Sequence, residues 1–123
     1  MENPEVLNIL VVDDEEDICK MFEKWLSLEG HRVQSALTGK KAIDLVKKEH
    51  FDVVFLDIII PGTTAFEVLE KIKKISPETK VVIITGKLID KDLLKELRGK
   101  GSSAFLQKPF KIEDLLRAIK GKA

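Results

Sequence analysis

The sequence predicts a single α/β domain built on a parallel sheet, and three observations carry that prediction. Short apolar runs recur along the 123 residues. Helical apolar spacing fills each interval between them, and polar residues stand directly after the runs. Continuous β-branched runs without polar alternation are what strands covered on both faces look like.

The elements follow in order. The first strand is "ILVV" (Ile9–Val12), followed at once by Asp13 and Asp14. Ile18, Met21, Phe22, Trp25 and Leu28 then recur at helical spacing until Gly30 stops the helix. "HRVQSA" (His31–Ala36) is a more polar strand, of the kind expected at a sheet edge. Ala42, Ile43 and Val46 mark a second helix, opened by Thr38 as its cap. "VVFL" (Val53–Leu56) is the third strand and Asp57 follows it. Thr64-Ala65-Phe66-Glu67 reads as a capping box before Val68, Leu69, Ile72 and Ile75. "VVII" (Val81–Ile84) precedes Thr85; Leu93, Leu94 and Leu97 form a fourth helix closed by Gly99 or Gly101. "SAFL" (Ser103–Leu106) is a second edge-like strand, with Lys108 two residues beyond it, and Ile112, Leu115, Leu116 and Ile119 mark the last helix.

Composition narrows the function classes. Apolar residues make up 44% and charged residues 34% of the chain, as in an ordinary soluble domain. No apolar run approaches the ~20 residues of a membrane span, and the start "MENPEVLNIL" lacks a secretory pattern. A lone Cys19 excludes an internal disulfide and suits a reducing cytoplasmic location. No closely spaced His/Cys set points to zinc. Net charge is zero, yet residues 1–30 hold nine acids and two bases, whereas residues 87–123 hold five and ten. The basic end is a solvated surface or a face for an acidic partner. Nucleic acid is disfavoured as a partner because no aromatics interleave those lysines.

Asp57 is the residue that demands explanation. A carboxylate at the end of a buried apolar strand costs several kcal/mol unless it is paired, hydrogen-bonded or metal-bound. In parallel α/β sheets, functional side chains gather beyond the carboxyl ends of the strands. Asp13, Asp14, Asp57, Thr85 and Lys108 all fall there, on one rim. Two like charges ~4 Å apart repel by roughly 4 kcal/mol at an effective dielectric near 20, so three acids need positive charge. Lys108 supplies one unit; a hard divalent cation such as Mg²⁺ would supply two, through oxygen ligands. A metal, a lysine, a threonine hydroxyl and a central carboxylate describe a phosphoryl-transfer site with Asp57 as nucleophile. Plainer readings exist for each member alone: Asp14 as a helix cap, Asp57 as the start of an Asx turn, Thr85 as a strand end, Lys108 as a surface lysine. Cys19 and Trp25 read as packing or partly exposed positions on the first helix, and His31 and His50 as surface residues rather than phosphocarriers.

The ordered set "ILVVDDEEDI", "VVFLDIIIPG", "VVIITG" and "GSSAFLQKPF" resembles the receiver domain of two-component response regulators across essentially the whole chain, residues 1–123. The resemblance implies a doubly wound, flavodoxin-like fold with five parallel strands in the order 2-1-3-4-5 and helices on both faces. It makes Asp57 the phosphoacceptor for a sensor histidine kinase. It gives Mg²⁺, with Mn²⁺ as a substitute, to Asp14, Asp57 and the backbone carbonyl of Ile59, with Asp13 acting through water. It assigns Thr85 and Lys108 to the phosphoryl group, Phe105 to an aromatic switch, and Gly86 and Pro109 to support. The fourth helix, last strand and last helix would form the readout surface for an output protein or a missing effector domain, the chain being either a stand-alone receiver or an excised one. Such a domain is a regulatory phosphoacceptor that promotes only its own phosphorylation and dephosphorylation.

The chain departs from the family pattern in four places. Thr64-Ala65 stands where Asp-Gly is common, predicting a differently shaped loop or an earlier helix start. Gly86 stands where alanine is usual, leaving room above the phosphoryl group. Ile59 cannot orient a hydrolytic water, and Lys87 would hover over the site; a slowly lost aspartyl phosphate is therefore expected. Three rivals fit less well. A haloacid-dehalogenase-type phosphatase needs an acid at the position of Ile59. An FMN binder needs a hydroxyl- or glycine-rich loop where "DDEED" stands. A receiver-like module that binds without phosphorylation would not need the intact acids, threonine and lysine.

Overall fold

The computed structural model describes residues 5–86 and 91–120. Strands and helices alternate throughout: β1 (Asn8–Val12), α1 (Glu16–Leu28), β2 (Arg32–Ala36), α2 (Gly39–Lys48), β3 (Val53–Asp57), α3 (Ala65–Ile75), β4 (Lys80–Thr85), α4 (Lys91–Gly99), β5 (Ala104–Gln107) and α5 (Ile112–Lys120). The five strands pair in parallel in the order β2-β1-β3-β4-β5. The two polar strands therefore occupy the edges, where one face and one row of backbone groups can meet water.

Alternation along the central strands divides the core into two layers. Leu10 and Val12, Val54 and Leu56, and Val81 and Ile83 pack with Val46, Val68, Leu69 and Leu97 from α2, α3 and α4. Ile9 and Val11, Val53 and Phe55, and Val82 and Ile84 face Phe22, Leu26 and Leu115 from α1 and α5. Three central strands apolar on both faces are what this two-sided cover requires.

The helix ends follow local chemistry. Thr38 Oγ1 accepts from Lys41 N at 3.2 Å, capping α2, and Thr64 Oγ1 accepts from Glu67 N at 3.2 Å, capping α3. Only half of the expected capping box forms, because Glu67 instead accepts the Thr63 hydroxyl at 3.1 Å. The loop before α3 takes its left-handed turn at Gly62 (φ 80°), so Ala65 can open the helix without strain. At the end of α4, Gly99 is still helical; Gly101 (φ 113°) supplies the left-handed residue, and Ser102 N reaches back to Leu97 O at 3.1 Å.

Candidate functional site

Strand register places the acids. Val12 lies opposite Leu56 across the parallel β1–β3 ladder, so the next residue on each chain, Asp13 and Asp57, are neighbours at the carboxyl edge. Both continue the face begun by Ile9 and Val11, and by Val53 and Phe55, so both turn toward the α1 and α5 side. Asp13 is fully buried and Asp57 nearly so, while Asp14 is exposed. Thr85 is buried at the end of β4, one residue past Ile84, the partner of Asp57.

Lys108 arrives from the far edge of the sheet. Its backbone N–H donates to Thr85 O at 2.7 Å, and Phe110 drops into the core edge-on to Phe22, with ring centroids 5.4 Å apart. The Lys108–Pro109 peptide bond between these anchors is cis. The Lys108 ammonium then reaches three carboxylates: Asp13 Oδ2 at 2.9 Å, Glu15 Oε1 at 2.9 Å and Asp57 Oδ2 at 3.1 Å. It donates aligned hydrogen bonds to Glu15 and Asp57. The contact with Asp13 Oδ2 is an ion pair without hydrogen-bond alignment, which leaves that buried oxygen without a hydrogen-bond partner.

Asp57 uses its two oxygens for different tasks. Oδ1 accepts from Ile59 N at 3.0 Å, an Asx turn that shapes the exit from β3. Oδ2 faces the lysine. The Asx turn expected of this residue is present on one oxygen, and the other is left for the contact with Lys108. Asp14 does not cap α1: the cap position belongs to Glu15, whose side chain makes no capping bond, and Asp13 Oδ1 accepts from Glu15 N at 2.9 Å.

The electrostatics show a shortage of positive charge. Burial raises the Asp13 carboxyl above its ordinary value, and the Asp57 charge adds to this; the Glu15 N–H and Lys108 pull the other way. Burial opposes the charge on Lys108, but its contacts with Asp13, Glu15 and Asp57 outweigh that cost and raise its pKa. Carboxylate oxygens of Asp13, Asp14 and Asp57 all lie within 4.8 Å of one another. All are hard oxygen donors, and Asp13 Oδ2 is a buried acceptor still short of a hydrogen bond. A divalent cation fits this set.

The Ile59 side chain is half exposed. Phe105 sits in β5 opposite Ile83, half-buried against the α2–α4 layer, and it lines a groove with Arg98 and Arg117. A Cβ on Gly86 would meet Lys108 Cδ at 3.6 Å, an ordinary contact; the space left by this glycine lies beside the lysine stem. Lys87 lies outside the described residues. Glu15 and Phe110 were not singled out in the sequence. Phe110 stands directly after the Lys-Pro pair, an apolar residue that could have been read as an anchor. Glu15 carried no signal beyond its place in an acidic run.

The family model of the response regulator receiver domain matches residues 9–120. The chain belongs to that family. Receiver domains are regulatory phosphoacceptors, phosphorylated on an aspartate, and they interact with histidine kinases and output effectors. This receiver domain is 35% identical over 114 residues to sporulation initiation phosphotransferase F of Bacillus subtilis (strain 168), a match covering 91% of this chain and 90% of that protein. It is similar in structure to a CheY-like receiver domain from Methanospirillum hungatei JF-1, with TM-score 0.87, 31% identity, and 94% and 92% of the two chains covered. It also resembles the BeF3-activated receiver domain of DrrB, with TM-score 0.84, 33% identity, and 94% and 96% covered. Among the described residues, no helix of the receiver domain is long and apolar enough to cross a membrane.

Proposed function

We propose that Asp57 accepts a phosphoryl group from the phosphohistidine of a sensor histidine kinase in a Mg²⁺-dependent reaction, and that the α4-β5-α5 surface changes in response. The observation that carries this reading is the contact of Asp57 Oδ2 with Lys108 Nζ at 3.1 Å, inside the cluster that Asp57 forms with Asp13 and Asp14. The Asp57 carboxylate attacks phosphorus while the P–N bond to the kinase histidine breaks. The bonding electron pair leaves with the imidazole, which takes its proton from solvent, since the carboxylate brings none. Lys108 offsets charge on the carboxylate before transfer and on a phosphoryl oxygen after it. Thr85 supplies its hydroxyl to another phosphoryl oxygen, and Gly86 and Pro109 shape the backbone beside these two residues.

Asp14, Asp57 and the Ile59 carbonyl would hold Mg²⁺, or Mn²⁺ in its place, with Asp13 acting through water. The bound cation supplies the positive charge that lets phosphoryl and carboxylate oxygens approach. Beyond its own phosphorylation and dephosphorylation the domain has no reaction to perform. A groove of about 700 Å³ bounded by Arg98, Phe105 and Arg117 supports the α4-β5-α5 readout, with Phe105 as the switch residue and an output protein or a separate effector domain as its target. We read residues 1–123 as one receiver domain acting in the cytoplasm. The test is incubation with Mg²⁺ and acetyl phosphate. A phosphoryl mass gain that disappears in Asp57→Asn supports the switch, whereas no gain in the wild type favours a module that binds without phosphorylation.

A further inference from the structure

We infer that Glu15 is a positioning residue: it holds Lys108 in the resting domain and must release it before a phosphoryl group can settle on Asp57. The inference rests on the reading of Asp57 as the phosphoacceptor. A lysine ammonium has three N–H donors and no acceptor. Here three carboxylates of the chain surround it, Asp13 and Glu15 at 2.9 Å and Asp57 at 3.1 Å. Two of its N–H groups donate to Glu15 and Asp57, and a phosphoryl group on Asp57 brings strong acceptor oxygens and added negative charge that compete with the existing partners for the ammonium. Asp57 is the acceptor itself. Asp13 is wholly buried and pinned through Oδ1 to the Glu15 N–H, so abandoning it would strand a dry charge. Glu15 alone has water to return to, its side chain being 62% exposed.

A second observation points the same way. Glu15 occupies the cap position of α1, where Ser, Thr, Asp or Asn would bond the first free N–H groups, yet its side chain makes no such bond. The carboxylate instead bridges to a lysine 93 residues away. Helix capping therefore does not explain where this side chain lies; the contact with Lys108 does. Because the contact is on the wet side of the rim, its release is a small cost, enough to bias the resting state without blocking transfer.

The experiment titrates the full chain, with Mg²⁺ present, with beryllofluoride as phosphoryl mimic, and measures the rate of phosphorylation by acetyl phosphate in parallel. Glu15→Gln and Glu15→Ala are expected to bind beryllofluoride about two- to fivefold more tightly and to phosphorylate faster by a similar factor, the range of an exposed ion pair. Glu16→Gln removes a neighbouring exposed charge that makes no contact with Lys108 and is expected to change neither quantity. Unaltered affinity and rate in both Glu15 variants, with a wild type that is phosphorylated, would overturn the role of Glu15 alone. Equal acceleration by Glu16→Gln would overturn it too, by showing a bulk-charge effect. A wild type that takes no phosphoryl group would overturn the phosphoacceptor reading and this role with it.

Discussion

Asp57 and Lys108 stand 51 residues apart in the chain, yet the carboxylate Oδ2 and the ammonium Nζ meet at 3.1 Å. Neither residue is placed by its own strand alone. Asp57 is carried to the rim by β3 and fixed there by its bond from Ile59 N, while Lys108 is held by its backbone bond to Thr85 O and by the burial of Phe110.

Removing that ammonium is expected to destabilise the fold. Lys108→Met keeps the stem and deletes the charge, leaving Asp13 and Asp57 facing each other with almost no water. The expected loss is about 2 kcal/mol, below the roughly 3–5 of a fully buried pair because the Glu15 side of the rim is wet. Urea denaturation in the presence of a chelator measures it. An unchanged midpoint would mean that the two acids are neutralised by something other than this lysine.

Metal should stabilise the same cluster. At a Mg²⁺ concentration tenfold above its dissociation constant, linkage gives about 1.4 kcal/mol. For a domain of this size that raises Tm by roughly 5 °C. Asp14→Asn is expected to remove most of this shift and to raise the metal-free Tm, because it takes one like charge out of the cluster and Asp14, being exposed, forms no cap for α1. If Asp14→Asn and the wild type gain equally from Mg²⁺, Asp14 is not a ligand.

The fold was legible because its signals are local and repeated. Three buried strands without polar alternation, two polar ones and capping threonines at Thr38 and Thr64 need only a few consecutive residues to be read. The rim was legible for a related reason: a parallel sheet puts every strand end on one side, so an acid just after β1 and another at the end of the neighbouring β3 converge. What could not be read depends on reach and direction. The bridge from Glu15 to Lys108 spans 93 residues and is set by two long side chains, which no periodicity records. Nor does the acidic run say that Glu15, not Asp14, takes the cap position of α1, with its N–H donating to the Asp13 side chain at 2.9 Å.

Once formed, the aspartyl phosphate is expected to persist. Its hydrolysis needs a water held in line with the phosphorus, and the half-exposed side chain next to the rim, Ile59, has no polar atom to hold one. Ile59→Asn offers an amide that can donate to and accept from such a water, and should shorten the lifetime severalfold. Decay of radiolabel from the isolated phosphoprotein measures both. Rapid loss from the wild type, or an Ile59→Asn rate equal to it, would show that the side chain at this position does not control access of water.

A last prediction separates stability from the site. At the opposite edge of the sheet, just before β4, Thr79 is fully buried; its Oγ1 donates to Phe51 O at 2.7 Å and lies 2.6 Å from Ser76 Oγ. Thr79→Val keeps the shape of the side chain and removes the hydroxyl. The Phe51 carbonyl then loses this donor at a cost of about 1–3 kcal/mol, while the Ser76 hydroxyl keeps its bond to Glu78 Oε1 at 2.8 Å. The residues around Asp57 lie at the far ends of these strands and share none of these bonds. Denaturation should therefore show the loss, while phosphorylation by acetyl phosphate, measured well below the lowered Tm, should proceed at the wild-type rate. A slower rate in the folded variant would mean that strain at this end of β3 and β4 reaches the rim.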